Sequence, residues 1–598
     1  MKLQKRIVKK FWEKHPVIFA LLKDSKDPAA ARDYLHNYLG EQWRTLYQLE
    51  TIRPSLEWGI RMNALRIFRR TISLRSEKLT GYSLVSLLWN LAHGKYMEIS
   101  DELNKGFFEE IDHLLIAIAG KARIYENGKP LDFGKAKGRE AAIQYSRYLN
   151  TIARRCNAYI DKYPHGLMSK VKARRIANRD RILEKFGGSP DDWKNYKWHL
   201  QHIVRDAKTL GKLINLSRDE AKAITMAREA KLPFGITPYY VSLMDKEPSR
   251  KNDHAVRAQV IPPLDYVETM KKYRGNKETN ADFMLERDTS PVELVTRRYP
   301  NIAILKPYNT CSQICVYCQR NWEIRDVLDS KAVADQKTLE KAYDWFEKNP
   351  EVNEVLVTGG DPFIMSTAKI KAILSRLSSM KHIVRIRLGS RTPVVLPQRI
   401  TQDLVDTIAS FHRPGKREIA IVTHFEHGYE VTPEAMEAVQ KFRTKGICVY
   451  NQVVFTTENS RKFELVALRQ QLRLIGVENY YTFNTKGKEE TRKYRVPLAR
   501  LQQEVKEEAR LASGLVRTDE PVYNVPRLGK NYIRAGQHHS LLTISPGGRR
   551  IYEFHPWEKN LALVNTYIDT DVSIYDYLKE LRKRGESVTD YKSIWYYY

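Results

Sequence analysis

The stretch IAILKPYNTCSQICVYC, residues 302–318, decides the fold of this chain. Its first five residues are the short apolar run typical of a buried strand, and three cysteines follow at positions 311, 315 and 318. Thiolates are the ligands of iron–sulfur clusters, normally four per cubane. Three cysteines on one loop therefore predict a [4Fe–4S] cluster with one iron open to a small molecule. The alternatives are a chance grouping or a structural zinc site, which would need a fourth Cys or His nearby.

Further strand-like runs follow this stretch along the chain, separated by helical patterns such as residues 366–380 and 433–446. The runs are VLVTGG (355–360), IVRIRLGS (383–390), EIAIVTHF (418–425), GICVYNQVVF (446–455) and YYTFN (480–484). Repeated βα units predict a parallel sheet that closes fully or partly into a barrel. In such barrels the side chains that carry chemistry lie at the carboxyl ends of the strands.

The length of 598 residues predicts more than one domain. We expect a basic, mostly helical extension over 1–187 and a helical lead-in over 188–300. The catalytic barrel should cover 301–556, and an aromatic tail should cover 557–598. Helical spacing of apolar residues is clear in 107–120 and 139–160.

The net charge of +30 favours anionic partners without choosing among them. Because runs of basic residues are more often solvated helix faces, we expect no nucleic-acid partner, although RIFRR (66–70) and KVKARR (170–175) keep that alternative open. The five cysteines are a poor disulfide framework and fit a reducing compartment. No apolar run has the length of a membrane span, so we expect a cytoplasmic protein.

The cysteine loop, with Tyr317 before its last cysteine, resembles the signature of the radical S-adenosylmethionine (SAM) superfamily. VTGGDPF (357–363) resembles that family's Gly-Gly motif. The resemblance implies a partial (β/α) barrel in which SAM binds the open iron. It also implies that Gly359, Gly360 and Asp361 lie at the amino group of SAM.

A narrower resemblance, to the lysine 2,3-aminomutase family, covers roughly 191–556. It rests on ITPYYVSLM, DTSPVELVTRRYP, GSRTPVVLPQRI, VTHFEHGYEVTPEA and NQVVF, which occur in that family's order. The resemblance implies a second cofactor, pyridoxal phosphate (PLP), linked to a lysine as a Schiff base. NVPRLGKNYI (524–533) makes Lys530 the candidate, although Arg527 and Leu528 stand where the family has glycines.

The same resemblance implies roles for individual side chains. Arg320 matches the arginine that binds the substrate α-carboxylate, and Arg298 matches one arginine near the PLP phosphate. The family's second arginine there falls on Ile302, so phosphate binding must be partly rebuilt. Three further residues match strand-end positions near SAM, namely Arg391, His424 and Gln452.

The substrate is predicted from two positions at which lysine-specific members carry aspartates. Here the aligned residues are Lys486 and Asn524, a pair that resembles glutamate 2,3-aminomutases. A buried lysine ammonium would lack a partner between them, whereas a carboxylate could pair with Lys486. We therefore expect conversion of L-glutamate to β-glutamate. The alternative is that Lys486 points to solvent.

Three functions compete at this point. The first is a SAM- and PLP-dependent 2,3-aminomutase that acts on a free amino acid. We expect it to be a homo-oligomer that receives electrons from a donor such as flavodoxin or ferredoxin. The second is a related enzyme acting on lysine or another amino acid. The third is a non-catalytic iron–sulfur regulator or nucleic-acid-binding protein, which would not need a Schiff-base lysine at 530.

Overall fold

The computed structural model describes residues 2–48, 56–96, 101–124, 134, 136–275, 282–484, 488–556 and 561–598. The described helices before residue 187 are α1 (Lys2–Lys14), α2 (Pro16–Lys23), α3 (Pro28–Gln48), α4 (Leu56–Thr71), α5 (Leu74–Thr80), α6 (Leu84–His93), α7 (Lys105–Ile118), α8 (Gly138–Ile160) and α9 (Ser169–Phe186). None of the helices among the described residues combines the length and apolar character that crossing a bilayer requires.

Gly187, in the left-handed conformation, ends α9, and a capping box at Ser189 begins the next helix. Short helices then lead to the barrel, namely α10 (Pro190–Lys194), α11 (Tyr196–Gln201), α12 (Ala207–Gly211), α13 (Arg218–Glu229), α14 (Pro238–Val241), α15 (His254–Val260) and α16 (Leu264–Gly275).

One nine-stranded sheet forms the barrel, and its strands lie side by side in sequence order. They are β1 (Val295–Arg297), β2 (Ile302–Tyr308), β3 (Glu354–Gly359), β4 (Arg385–Gly389), β5 (Glu418–Thr423), β6 (Cys448–Phe455), β7 (Val477–Asn484), β8 (Glu520–Val525) and β9 (Gly529–Tyr532). Strands β2 to β8 are parallel, whereas the edge strands β1 and β9 are antiparallel to their neighbours.

The helices between these strands are α17 (Gln336–Glu347), α18 (Thr367–Ser379), α19 (Thr392–Val395), α20 (Gln402–Ala409), α21 (Pro433–Arg443), α22 (Glu464–Leu474) and α23 (Leu498–Glu507). Among the described residues β1 and β9 do not pair, so the barrel is open. The gap is bridged by Arg527, whose backbone N–H donates to the carbonyl of Phe283 at 3.3 Å.

A second, three-stranded antiparallel sheet follows the barrel. It consists of β10 (His539–Ile544), β11 (Arg550–Phe554) and β12 (Tyr567–Thr570), and α24 (Ile574–Lys583) and a 3-10 helix (Val588–Tyr596) complete the chain. Strand β10 of this sheet packs on the N-terminal helices α4 and α5. The fully buried pair Arg550–Glu110, with Nη2 and Oε2 3.0 Å apart, joins β11 to α7.

The aromatic C-terminus also packs on α7. The Trp595 ring stacks on His113 with the ring centroids 4.7 Å apart, and the Arg550 guanidinium lies 4.9 Å from the centroid of the Tyr598 ring. The predicted fold class, a partial (β/α) barrel with an added, mostly helical N-terminal region, is confirmed. The predicted boundaries at 187, 300 and 556 stay a proposal.

Candidate functional site

The cysteine loop leaves the carboxyl end of β2. The thiols of Cys311, Cys315 and Cys318 are partly buried, and the loop packs on an apolar cluster formed by Ile203, Ile314, Ile324 and Val327. Burial raises the pKa of Cys311 well above its ordinary value, and Asp361 and the two other thiolates raise it further. Three thiolates in this setting need metal charge to balance them, so the donor set fits an iron–sulfur cluster.

Gly359 and Gly360 hold the end of β3 against the cysteine loop. Gly359 has φ +109, in the region that favours glycine. The N–H of Gly360 donates to the carbonyl of Tyr308 at 2.7 Å, and a Cβ on Gly360 would lie 2.0 Å from the carbonyl oxygen of Thr310, next to Cys311. Glycine is therefore required at both positions for a structural reason, because the end of β3 passes too close to the cysteine loop to leave room for a side chain.

The buried carboxylate of Asp361 connects the ends of β3 and β4. It accepts hydrogen bonds from the Ser390 hydroxyl at 2.7 Å and from the backbone N–H groups of Arg391 and Thr392, both at 2.9 Å. The carboxylate thus acts on the neighbouring strand end, and the N–H of Asp361 donates to the carbonyl of Thr310 at 2.9 Å.

Arg391, His424 and Gln452 lie together beside Cys315. Arg391 Nη1 is 2.8 Å from Cys315 Sγ, and its Nε donates to the carbonyl of His424 at 3.2 Å. Burial and the charge of Arg391 lower the pKa of His424 to about 4. His424 is therefore neutral near pH 7, and its Nδ1 lies 2.9 Å from the carbonyl oxygen of Gln452.

Lys530 lies on the antiparallel edge strand β9, directly opposite Asn524 on β8. Its ammonium is 4.1 Å from the ring centroid of Tyr481 and 5.6 Å from that of Tyr299, on the far side of the barrel opening. Arg298 also approaches this strand, since a Cβ on Gly529 would lie 3.7 Å from its Nη2. Lys530, Asn524 and Arg298 are thus brought together.

The environment of Lys530 favours the neutral amine. Burial lowers its pKa to about 8, and the positive charges of Arg387 and Arg298 add to the effect, with Glu354 opposing them. Among the described residues Arg298 itself has no hydrogen-bonded or ion-paired partner. A lysine with a lowered pKa beside the guanidinium groups of Arg298 and Arg387 suits attack on the carbonyl of an anionic cofactor such as PLP.

Arg320 is already held by a carboxylate of the chain. Its Nε and Nη2 donate to the two oxygens of Glu286 at 3.0 and 3.1 Å. Burial alone would raise the pKa of Glu286, but the charges of Arg320, Lys306 and Arg298 outweigh burial and lower it. Glu286 therefore fixes the orientation of Arg320 and leaves Nη1 for another anion.

Lys486 lies outside the described residues. Its neighbour Lys488 is buried, with its ammonium 2.7 Å from Glu490 Oε1 and 2.8 Å from Asn321 Oδ1. The role proposed for Lys486 therefore stays a prediction.

Sequence reasoning missed several residues of the barrel interior. Glu286 lies before β1, whereas Glu354, Arg387, Tyr480 and Tyr481 lie on β3, β4 and β7. The sequence did carry a signal for Arg387, because IVRIRLGS places a charged residue between the apolar residues of a strand. In the fold the Arg387 side chain is only 14% exposed.

A second group of possible metal ligands, His254, His427 and Glu464, lies outside the predicted site. Glu464 accepts both hydrogen bonds of an Arg461 fork at 3.0 Å, and His254 Nε2 is 3.1 Å from Glu464 Oε1. Burial lowers the pKa of His427 to about 3. These contacts satisfy the carboxylate, so we assign no metal to this group.

Comparison with known proteins finds similar sequences that cover the whole chain or about half of it. An uncharacterised KamA family protein of Methanocaldococcus jannaschii is 43% identical over 602 residues, which cover 98% of this chain and 96% of that protein. A glutamate 2,3-aminomutase of Clostridioides difficile is 33% identical over 53% of this chain and 74% of its own length. An L-lysine 2,3-aminomutase of Methanococcus maripaludis is 33% identical over 49% of this chain and 64% of its own length.

Two comparisons add little. The solved structure of Streptococcus suis SuiB bound to S-adenosylmethionine covers 52% of this chain and 67% of its own, with 14% identity and a TM-score of 0.28. That likeness is too weak for a comparison of sites. No family model matches the chain.

Proposed function

The chain belongs to the KamA family, and from this premise we propose that it is a radical SAM and PLP-dependent 2,3-aminomutase. The reaction moves the α-amino group of a free amino acid to the β-carbon, and the proposed substrate is L-glutamate. When bound, the cluster and SAM supply a carbon-centred radical, and PLP supplies a carbonyl that holds the amine of the substrate. Reduction of the cluster needs an external donor, such as flavodoxin or ferredoxin.

The observation that carries this proposal is a network between the two halves of the site. Burial raises the pKa of Cys318, and the backbone N–H and the charge of Arg320, two residues later, partly oppose that rise. Arg320 is fixed by Glu286. Glu286 in turn feels the charge of Arg298, which lies beside the Lys530 strand. The cysteine loop and the lysine thus face one continuous polar interior.

The chain's residues divide into two groups. Cys311, Cys315 and Cys318 would hold the cluster. Six further residues would position SAM, namely Gly359, Gly360, Asp361, Arg391, His424 and Gln452. The carboxylate of Asp361 accepts hydrogen bonds from the end of β4, so Asp361 would contribute to the SAM site by fixing the backbone of both strand ends. Arg391, already within 2.8 Å of Cys315, would neutralise charge beside the cluster.

Lys530 would hold PLP, since its lowered pKa leaves a neutral amine near pH 8. Arg320 would bind the α-carboxylate of the substrate through the guanidinium nitrogen that Glu286 leaves free. A guanidinium group fixed by a carboxylate on one side is a rigid donor for a second carboxylate on the other.

The substrate side chain would lie at Asn524, directly across the β8–β9 ladder from Lys530. An amide there can donate to a carboxylate but cannot neutralise an ammonium. With Lys486 contributing a positive charge, the pair favours an acidic side chain. This charge argument supports glutamate over lysine.

The deciding experiment is anaerobic incubation of the reconstituted full chain with SAM, a reductant, PLP and either glutamate or lysine. Products are separated as isomers of unchanged mass. We expect β-glutamate from glutamate and little or no β-lysine. Formation of β-lysine alone would contradict the glutamate assignment, and absence of any isomer with a loaded cluster would contradict the aminomutase.

A paired variant tests the charge argument directly. Lys486→Asp with Asn524→Asp should raise the KM for glutamate, because two carboxylates would then face the substrate carboxylate. Lys583→Asp makes the matched control, since Lys583 is 66% exposed on α24. An unchanged KM in the double variant would place the side-chain site elsewhere.

A further inference from the structure

We propose that Arg387 on β4, together with Arg298, binds the phosphate of PLP. This inference rests on the proposed function and deepens it. Arg387 would supply the second arginine of the phosphate site, because position 302 on β2 is an isoleucine.

The side chain of Arg387 points into the barrel. Its Nη1 donates to the hydroxyl of Tyr480 on β7 at 3.3 Å. Because β5 and β6 separate β4 from β7, a contact between them has to cross the interior of the barrel. Tyr480 packs on Tyr481 with ring centroids 4.2 Å apart, and Tyr481 carries the ammonium of Lys530 over its ring at 4.1 Å. Arg387 and Lys530 therefore line the same part of the barrel.

The charges of this region are out of balance. Arg298 and Arg387 carry permanent positive charges, and the protonated fraction of Lys530 adds to them. Glu286, a carboxylate that interacts with Arg298, is already paired with Arg320, and the carboxylate beside Arg387 is Glu354. That carboxylate is shared, since Oε1 lies 2.7 Å from Arg387 Nε and Oε2 lies 2.8 Å from Arg385 Nη1. Buried positive charge of this kind is costly unless an anion completes it. A phosphate monoester with nearly two negative charges would do so.

Arg387 also has hydrogen-bonding capacity to spare. Its Nε lies 2.7 Å from Glu354 Oε1 and its Nη1 donates to the Tyr480 hydroxyl, so among the described residues Nη2 is the guanidinium nitrogen left for an anion. The strand register places Arg387 beside Leu356 of β3. Leu356 is two residues nearer the carboxyl end of β3 than Glu354, which lies beside Ile302 of β2. The guanidinium thus reaches the region above Ile302.

The test compares PLP with pyridoxal, which lacks the phosphate, as ligands of the full-length chain. Their dissociation constants are measured by absorbance titration for the wild type, Arg387→Gln and Arg387→Lys. Arg385→Gln is the matched control, because Arg385 lies on the same strand and shares Glu354, but its side chain is 46% exposed and lies one inward position nearer the amino end of β4. Circular dichroism verifies that each variant folds.

We expect Arg387→Gln to weaken PLP binding by ~10–100-fold, the usual effect of losing a charge-assisted hydrogen bond, and to leave pyridoxal binding nearly unchanged. Arg387→Lys should lose less, and Arg385→Gln should behave like the wild type. Equal weakening of PLP and pyridoxal would overturn the phosphate assignment, as would an unchanged affinity for PLP. If the wild type binds neither ligand at Lys530, the PLP part of the proposed function fails first.

Discussion

The reactivity of Lys530 with an acylating reagent should depend on pH in a way that distinguishes it from every exposed lysine. Its pKa of about 8, against an ordinary 10.5, means that at pH 7.5 about a quarter of Lys530 is neutral, compared with about 0.1% of an exposed lysine. That is a difference of roughly 200-fold in reactive amine. The sign follows from burial, which disfavours the ammonium, and from two nearby guanidinium groups, which repel it.

The assay is competitive acetylation of the apo chain at a series of pH values, read for each lysine by mass spectrometry. Lys530 should reach half of its maximal labelling near pH 8, whereas Lys14 and Lys583, both more than 60% exposed, serve as internal standards. Arg298→Gln should move the Lys530 midpoint upward but not to 10.5, because burial is the largest cause of the shift. A Lys530 curve that coincides with those of the standards would refute the reasoning.

Three further predictions concern the frame around the site. Gly360→Ala places a Cβ 2.0 Å from the carbonyl oxygen of Thr310 and should displace the cysteine loop. The iron and sulfide bound per chain after anaerobic reconstitution should therefore fall sharply. The control Gly514→Ala, whose Cβ would have no atom within 4 Å, should keep the wild-type iron and sulfide content. Arg550→Ala leaves Glu110 buried and unpaired and should lower the free energy of unfolding by about 3–5 kcal/mol, measured by denaturant titration, whereas Arg549→Ala on the exposed neighbour should have little effect. Arg527 has a φ of +64, which glycine adopts more easily than a residue with a side chain, so Arg527→Gly should raise the free energy of unfolding by about 1 kcal/mol or less. This gain should appear as a slightly higher melting temperature. A lower melting temperature would show that the Arg527 side chain has a stabilising role.

The barrel could be predicted because most of its strands are short apolar runs that alternate with helical segments. The runs at 418–425 and 446–455 contain β5 and β6, and the run at 383–390 contains β4. YYTFN gave only the second half of β7, which begins at Val477, because Glu478 and Asn479 interrupt the apolar pattern. The edge strand β9 and its neighbour β8 carry no such run, because polar residues such as Asn524 and Lys530 interrupt the apolar pattern.

The site was predictable where residues form a local motif, as in the cysteine loop and the Gly-Gly turn. Charges paired across the barrel could not be found in this way. Glu286 and Arg320 are 34 residues apart, and the partners of Arg387 come from β3 and β7. Such pairs depend on the strand order and on which face of each strand points inward, neither of which a single sequence states.

The basic N-terminal region has a physical connection to the site that its composition does not suggest. Asn531, next to Lys530, donates from its amide to the carbonyls of His538 and His555 at 2.8 and 2.9 Å, which ties β9 to the ends of β10 and β11. Those two strands are in turn covered by the N-terminal helices.

The cover is specific as well as apolar. Arg75, on α5, forms a two-pronged hydrogen bond with Glu553 of β11 at 2.8 and 3.0 Å, and the backbone of Gly548 packs directly on Gly106 at the start of α7. A side chain at Gly548 would separate the two layers, because its Cβ would lie 2.3 Å from the carbonyl carbon of Gly106. Because the strand that carries Lys530 is fixed through this sheet, the N-terminal helices stabilise the position of the lysine from outside the barrel strands. At Arg75 the positive charge of the region is used to pack the chain on itself.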